Sequence, residues 1–299
     1  MICINCCCHV ESLYVAYPGD HIRLTDCSGC GEVVDRYVEF DNVLLFIDLL
    51  LLKPGAYRHL VYNSLEVDLR RYPEHGTREG GFRGYVQDWL LWFRKYDRLN
   101  RIWLLLITFE VYLMWMTEEK KYNNYYREPA TQYGWHLLTG DVLNLQNPLL
   151  QYLFFAVYVI GDLALLHKLT RESLLRWSQW GRDLRYAKDI VSYTILLSYG
   201  AKIFPILMLI WPYDSLVSTS IIKWIANFYI VESLRIVTNK SYSYIILLFA
   251  GIFIVRSVVL KPLLALIVSQ GNMAQVQRYL WGEYELFKFR FLTKRDIFL

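Results

Sequence analysis

Five apolar runs in the last two hundred residues constrain this chain more than any other feature: 102–116, 149–166, 190–211, 216–231 and 244–268. Each is fifteen to twenty-five residues long, the length a helix needs to cross a hydrocarbon layer of about 30 Å at varying tilt. Charged clusters separate them. The first hundred residues mix polar and apolar positions in the ordinary way. This asymmetry predicts a mainly α-helical membrane protein: a small N-terminal module followed by a bundle of four to five transmembrane helices spanning 102–268. A net charge of +4 with no lysine- or arginine-rich block argues against a nucleic-acid partner.

The N-terminal module is defined by its cysteines. All six lie in the first thirty residues, and four form two Cys-x-x-Cys pairs, Cys3/Cys6 and Cys27/Cys30. Two such turns can close a tetrahedral four-thiolate site, and zinc is the ion that suits it. Residues 12–17 and 21–25 are β-prone around the turn Pro18-Gly19-Asp20, and 33–40 alternates again. The layout is that of a zinc ribbon over 1–40, too small to fold without its ion. Two disulfides are the competing reading. They require an oxidising compartment, and Met1-Ile2-Cys3 does not begin a cleavable signal sequence. Cys7 and Cys8 are expected to be bystanders, with replacement of Cys6 as ligand left open. A closed four-sulfur site leaves no position for substrate, so the zinc is expected to be structural.

Residues 43–52 are nearly unbroken Leu, Ile, Phe and Val around Asp48, bounded by Asp41-Asn42 and Lys53-Pro54. Ten residues make about 15 Å of helix, half of what a span requires. The segment 41–65 is therefore expected to be interfacial or re-entrant, with a soluble helix packed on the ribbon as the alternative. Asp48, Leu49, Tyr57 and Arg58 are its expected lipid contacts. A cytosolic linker over 66–101, with the glycine-containing, mixed-charge stretch 73–84 as its best candidate segment, and a basic C-terminal tail over 269–299 complete the organisation.

Taken together, Cys3-Ile-Asn-Cys6, Glu11-Ser-Leu-Tyr14, His21-Ile-Arg-Leu-Thr25, Cys27-x-x-Cys30, Val34-Asp-Arg-Tyr37, the apolar run and Ala56-Tyr-Arg-His-Leu-Val-Tyr-Asn63 resemble the homology domain of the Arv family (ACAT-related, required for viability), fungal members above all. The resemblance is dense over the first sixty-five residues or so and general beyond. It implies an endoplasmic-reticulum membrane protein, with the Golgi as a further location, that supports sterol distribution, sphingolipid homeostasis and early glycosylphosphatidylinositol (GPI) anchor synthesis. It also implies membrane lipids, sterols, GPI intermediates and the membrane proteins handling them as partners. Its zinc ligands fall on Cys3, Cys6, Cys27 and Cys30.

Cations flank the spans unevenly. Arg94, Lys95, Arg98 and Arg101 precede the first, and six more lie between 168 and 188, which predicts a cytosolic N-terminal module and a lumenal 120–147 loop. The cations after 278 favour the cytosol, whereas five spans would place them in the lumen; four spans would restore agreement. Glu110, Asp162, Lys202, Lys223 and Arg256 lie inside the runs and are expected to pair between helices, to snorkel, or to line a polar cleft for headgroups, with Lys202 and Arg256 as its candidate lipid contacts. His136 and Asp141 have the His-x₄-Asp spacing of glycerolipid acyltransferases, the alternative to a non-enzymatic lipid-handling role. The pattern stands alone, without a phosphate-binding block after it.

Overall fold

The computed structural model describes residues 1–19, 21–72, 82–182, 184–200 and 215–293. It divides into two compact units, each assembled from separate stretches of chain.

Unit 1 gathers Met1–Trp103, Arg171–Ala201 and Phe228–Ile246. It begins with the ribbon, a two-stranded antiparallel hairpin of β1 (Tyr14–Ala16) and β2 (Ile22–Leu24) in the register Tyr14↔Leu24. The third β-prone run does not form a strand. It contributes one bridge, Asp26↔Val33, and then turns into a short 3₁₀ helix at Arg36–Val38. The Asp35 carboxylate explains the change: it accepts the Tyr37 N–H at 3.0 Å and caps the turn, a local bond that competes with a ladder. Cys3, Leu13, Cys27 and Val34 form the ribbon's small core.

Helix α1 (Asn42–Leu50) follows, then a bend at Leu52, then α2 (Pro54–Arg58), a π-helical turn (His59–Ser64) and α3 (Leu65–Arg70) as one rod. Pro54 opens α2 at its first turn, where a missing N–H costs nothing. The expected linker is largely helical: besides α3 it holds α4 (Phe82–Lys95), and 73–81 lie outside the described residues. Val61, Leu65 and Leu69 pack on Ile190 of α9 (Ala187–Ser198) and Val237 of α10 (Ser215–Thr238). Ser198 and Ser233 share a buried hydrogen bond of 2.6 Å between α9 and α10.

Unit 2 gathers Leu104–Thr170, Lys202–Asn227 and Leu247–Leu299. Its helices are α5 (Asp97–Lys121), α6 (Arg127–Tyr133), α7 (Leu138–Leu143), α8 (Pro148–Glu172), α11 (Tyr242–Val268) and α12 (Met273–Thr293), α5 and α11 beginning in unit 1. Among the described residues, three continuous helical stretches are long and apolar enough to cross a membrane: Leu99–Tyr133, Pro148–Trp177 and Tyr242–Val268. Only 17–22% of each span's apolar window is fully buried by protein. They cover the first, second and fifth expected spans. The third expected span is described only to residue 200, as α9, and α10 over the fourth is not among the three. The expected basic tail is the 21-residue helix α12. Its Gly282 lies so close to the His136 carbonyl that a Cβ there would stand 2.3 Å from the oxygen.

Candidate metal centre

The two knuckles of the ribbon are copies of one backbone design. In the first, Cys3 N–H donates to Cys8 O at 2.9 Å and Cys7 N–H to Cys3 O at 3.0 Å; in the second, Cys27 N–H donates to Glu32 O and Gly31 N–H to Cys27 O, both at 2.8 Å. Cys7 and Gly31 occupy the same position and the same left-handed conformation, with φ of 64° and 74°. That region suits glycine and strains a side chain. Cys7 thus has a backbone role in the knuckle, and its thiol does not join the ligand set.

The turns bring the Sγ atoms of Cys3, Cys6, Cys27 and Cys30 within 4.8 Å of one another. Cys3 and Cys30 stand 3.8 Å apart, Cys6 and Cys27 3.5 Å. Zinc–sulfur bonds of about 2.3 Å in a tetrahedron separate neighbouring sulfurs by about 3.8 Å, so the donor set fits a metal of that size. The Gly29 N–H points at Cys27 Sγ from 3.4 Å, the amide-to-sulfur contact that supports a thiolate. Backbone donation from Cys8 lowers the Cys6 thiol to about 6. Cys30 goes the other way: against lowering by the Glu32 backbone, burial and the neighbouring thiols push it up to about 12. Four thiols crowded without a cation cannot all ionise, and a divalent ion removes that conflict. Cys8 packs over Gly29 beside the cluster and is not one of the four.

The rod α2–α3 grips the first knuckle. Arg58 Nη1 donates to the carbonyls of Ile4 and Asn5 at 2.8 and 3.0 Å. Asn63 accepts the Ile2 N–H at 2.9 Å and donates to Ile2 O and Asp35 Oδ2 at 3.0 and 2.7 Å. His59 Nδ1 meets the same Asp35 oxygen at 2.8 Å. Asp35 and Asn63 are completely buried and hydrogen-bonded, while the Nε of Arg58 in the same clamp is buried without a hydrogen-bond partner.

Helix α1 is attached through Asp48. Its carboxylate is 3% exposed, accepts the Tyr37 hydroxyl at 2.9 Å and pairs with Lys53 Nζ at 2.6 Å. Lys53, followed by Tyr37, holds this carboxyl below the usual carboxylate range. Tyr229 of α10 also donates to the carbonyl of Leu50 at 2.6 Å. With its one acidic side chain turned inward, α1 presents Val43, Leu44, Phe46 and Ile47 outward, followed by Leu51.

The expected lipid contacts therefore fall in different places. Asp48 and Tyr57 are buried in protein, which corrects the expectation that they face lipid: the carboxylate is matched by Tyr37 and Lys53, and the Tyr57 ring fills the core. Arg58 is engaged with the knuckle backbone. Leu49 is half-buried, while Phe46 and Ile47 carry the exposed apolar surface. Arg256 forms a two-point ion pair with Asp162 across α11 and α8, Nε to Oδ1 at 2.7 Å. Lys202 lies outside the described residues, as does the Lys223 side chain. Among the described residues no hydrogen bond joins His136 to Asp141; His136 lines an open groove with Arg278, and Asp141 lies against Tyr279. Sequence reasoning missed Asp35, Tyr37, His59 and Asn63. A signal was present: His59 and Asn63 are four apart, interleaved with Leu60, Val61 and Tyr62.

Paired cysteine knuckles clamped to a helical rod, an outward apolar helix and, among the described residues, three membrane-length helices define a membrane protein with an N-terminal ribbon whose four clustered thiols are compatible with a metal site. Within that class the chain belongs to the Arv1-like family, whose model matches residues 2–234. It is 96% identical over 299 residues to Protein ARV1 of Eremothecium gossypii, with both chains covered completely. It is 49% identical to Protein ARV1 of Saccharomyces cerevisiae, over 96% of this chain and 97% of the relative. Protein ARV1 of Mus musculus matches at 37% identity over 62 residues, 21% of this chain and 23% of its own. No solved structure matches the chain.

Proposed function

We infer that this chain is a non-enzymatic lipid-handling protein of the endoplasmic reticulum membrane, its ribbon in the cytosol with one structural zinc on Cys3, Cys6, Cys27 and Cys30. Bound zinc would hold the four sulfurs as thiolates, offsetting two of their four negative charges, and keep the knuckles together. The family resemblance directs the finer reading: sterol distribution, sphingolipid homeostasis and support of GPI-anchor synthesis, in contact with those lipids and with the membrane proteins that handle them. The Golgi is a further site in the same reading.

The observation that carries the proposal is the outward apolar face of α1, with Phe46 53% and Val43 62% exposed, rigidly joined to the ribbon through Asp48. In water such a face is unfavourable; each fully buried side chain of this size returns about 1.5–3 kcal/mol, and a bilayer surface is a medium that accepts it. The ribbon is then a stiff handle that holds α1 at the membrane. Phe46→Asp in the full chain tests this. The variant is expected to keep close to one zinc per chain and normal abundance, to lose lipid quenching of a probe at position 43, and to impair sterol distribution or GPI anchoring. Normal sterol distribution and anchoring in that variant would sink the proposal, and less than about half an equivalent of zinc in the parent protein would remove its metal.

A further inference from the structure

The first knuckle carries a thiol that the second lacks. Cys3 N–H donates to Cys8 O as Cys27 N–H donates to Glu32 O, so Cys8 is the counterpart of Glu32. Its side chain reaches across to the second knuckle. A Cβ at Gly29 would stand 2.9 Å from Cys8 Sγ and 3.7 Å from Cys27 Sγ, so the glycine leaves the room that the Cys8 thiol occupies beside the cluster. Of the four clustered thiols, Cys6 acts most strongly on that of Cys8, through a side-chain hydrogen bond. Cys6, Cys8 and Cys30 are exposed, whereas Cys3 and Cys27 are buried.

Four thiolates complete a tetrahedral site, so a fifth thiol can enter only as another leaves. Cys3 and Cys27 are held in the ribbon core with Leu13 and Val34, and moving either would open that packing. Beside Cys30, Glu32 offers a carboxylate, a harder donor than the thiolate it would replace. Cys6 has a donor of its own kind in reach, at the solvent edge, where a side-chain rotation disturbs no core.

We propose that Cys8 is a spare metal donor that exchanges with Cys6. The bond from the metal to Cys6 Sγ breaks, that to Cys8 Sγ forms, and the Cys8 proton passes to Cys6. The site holds four thiolates and the same charge before and after. The first knuckle is thereby the labile side of the site and the second the fixed one. The assignment rests on the zinc reading of the ribbon and adds a donor to it.

The test is zinc stoichiometry and cobalt(II) absorption of the full chain in mild detergent. Cys6→Ser is expected to hold close to one zinc per chain, with affinity within about ten-fold of the parent's, and to give the cobalt–thiolate absorption of four sulfurs. Cys6→Ser/Cys8→Ser should bind at least about a hundred-fold more weakly than the parent, as should Cys30→Ser, which has no thiol in the place of Cys8. A three-sulfur cobalt spectrum in Cys6→Ser overturns the proposal. So does a double variant that binds as tightly as Cys6→Ser, or a Cys30→Ser that does. Should the substituted chains fail to fold, limited alkylation of the zinc-loaded parent decides. Label is expected on either Cys6 or Cys8 of a given chain and not on both; label on Cys8 with Cys6 fully protected overturns the exchange. If the parent holds one zinc and Cys6→Ser holds none, the spare donor fails and the zinc reading stands, whereas a parent without zinc removes both.

Discussion

Cys7 and Gly31 show how a single residue's conformation separates ligands from neighbours. Both hold a left-handed φ one position after the second cysteine of a pair, and their N–H groups close equivalent turns. A side chain in that region costs on the order of 1–2 kcal/mol, partly offset by the extra freedom glycine has in the unfolded chain. Cys7→Gly is therefore expected to keep the metal and raise stability by up to about 1 kcal/mol, read as slower release of zinc to a chelator. Loss of the ion in this variant would make Cys7 a ligand and the turn equivalence irrelevant. Cys30→Ser should instead lose the ion and the ribbon together, since metal binding supplies the folding energy of so small a unit.

At the scale of elements, the rod α2–α3 and the ribbon act as one body because their shared polar groups are buried and matched. Asn63 makes three of these bonds, to both backbone groups of Ile2 and to Asp35. Asn63→Ala leaves all three partners short in a buried site and should cost about 2–4 kcal/mol. The checks are faster zinc release and protease cleavage between the ribbon and α1; rates equal to the parent's would show that the network adds nothing. The apolar face of α1 depends on this body indirectly. Tyr37, which binds Asp48, stands in the 3₁₀ turn that Asp35 caps, so a change at Asn63 is expected to reach α1.

For the whole molecule, the C-terminal helix bears on a question of sides within unit 2. Residues 134–137 and α12 are in direct contact: the His136 carbonyl lies against Gly282, Trp135 meets the Phe289 ring at 5.7 Å, and Leu137 and Leu286 share a core cluster. Segments on opposite faces of a bilayer cannot do this. The loop before α8 and the chain after α11 are therefore expected on the same side, against the four-span arrangement that would send the basic C-terminus to the other. With the ribbon in the cytosol, as proposed above, that shared side is expected to be the lumen. Glycosylation tags at position 146 and at the C-terminus should report the same compartment; opposite results would contradict the packing.

The sequence by itself determined whatever follows from residue type and spacing. Four cysteines in two Cys-x-x-Cys turns specify a four-sulfur site, and runs of about twenty apolar residues specify membrane-length helices, because both rules act locally along the chain. Residues 43–52 were legible as too short to span for the same reason. Only the tertiary structure decided where the polar side chains went. A composition of aromatics and cations over 56–63 fits a membrane interface as well as it fits a buried clamp, and the choice between them depends on Asp35 and Ile2 arriving from the ribbon. Asp48 reads as a charge exposed to headgroups until Tyr37 and Lys53 are seen to enclose it. Residues 33–40 alternate like a strand, yet a single carboxylate cap turns them into a 3₁₀ helix. Each of these outcomes rests on contacts between residues distant in sequence or on a competing local bond, and periodicity carries neither.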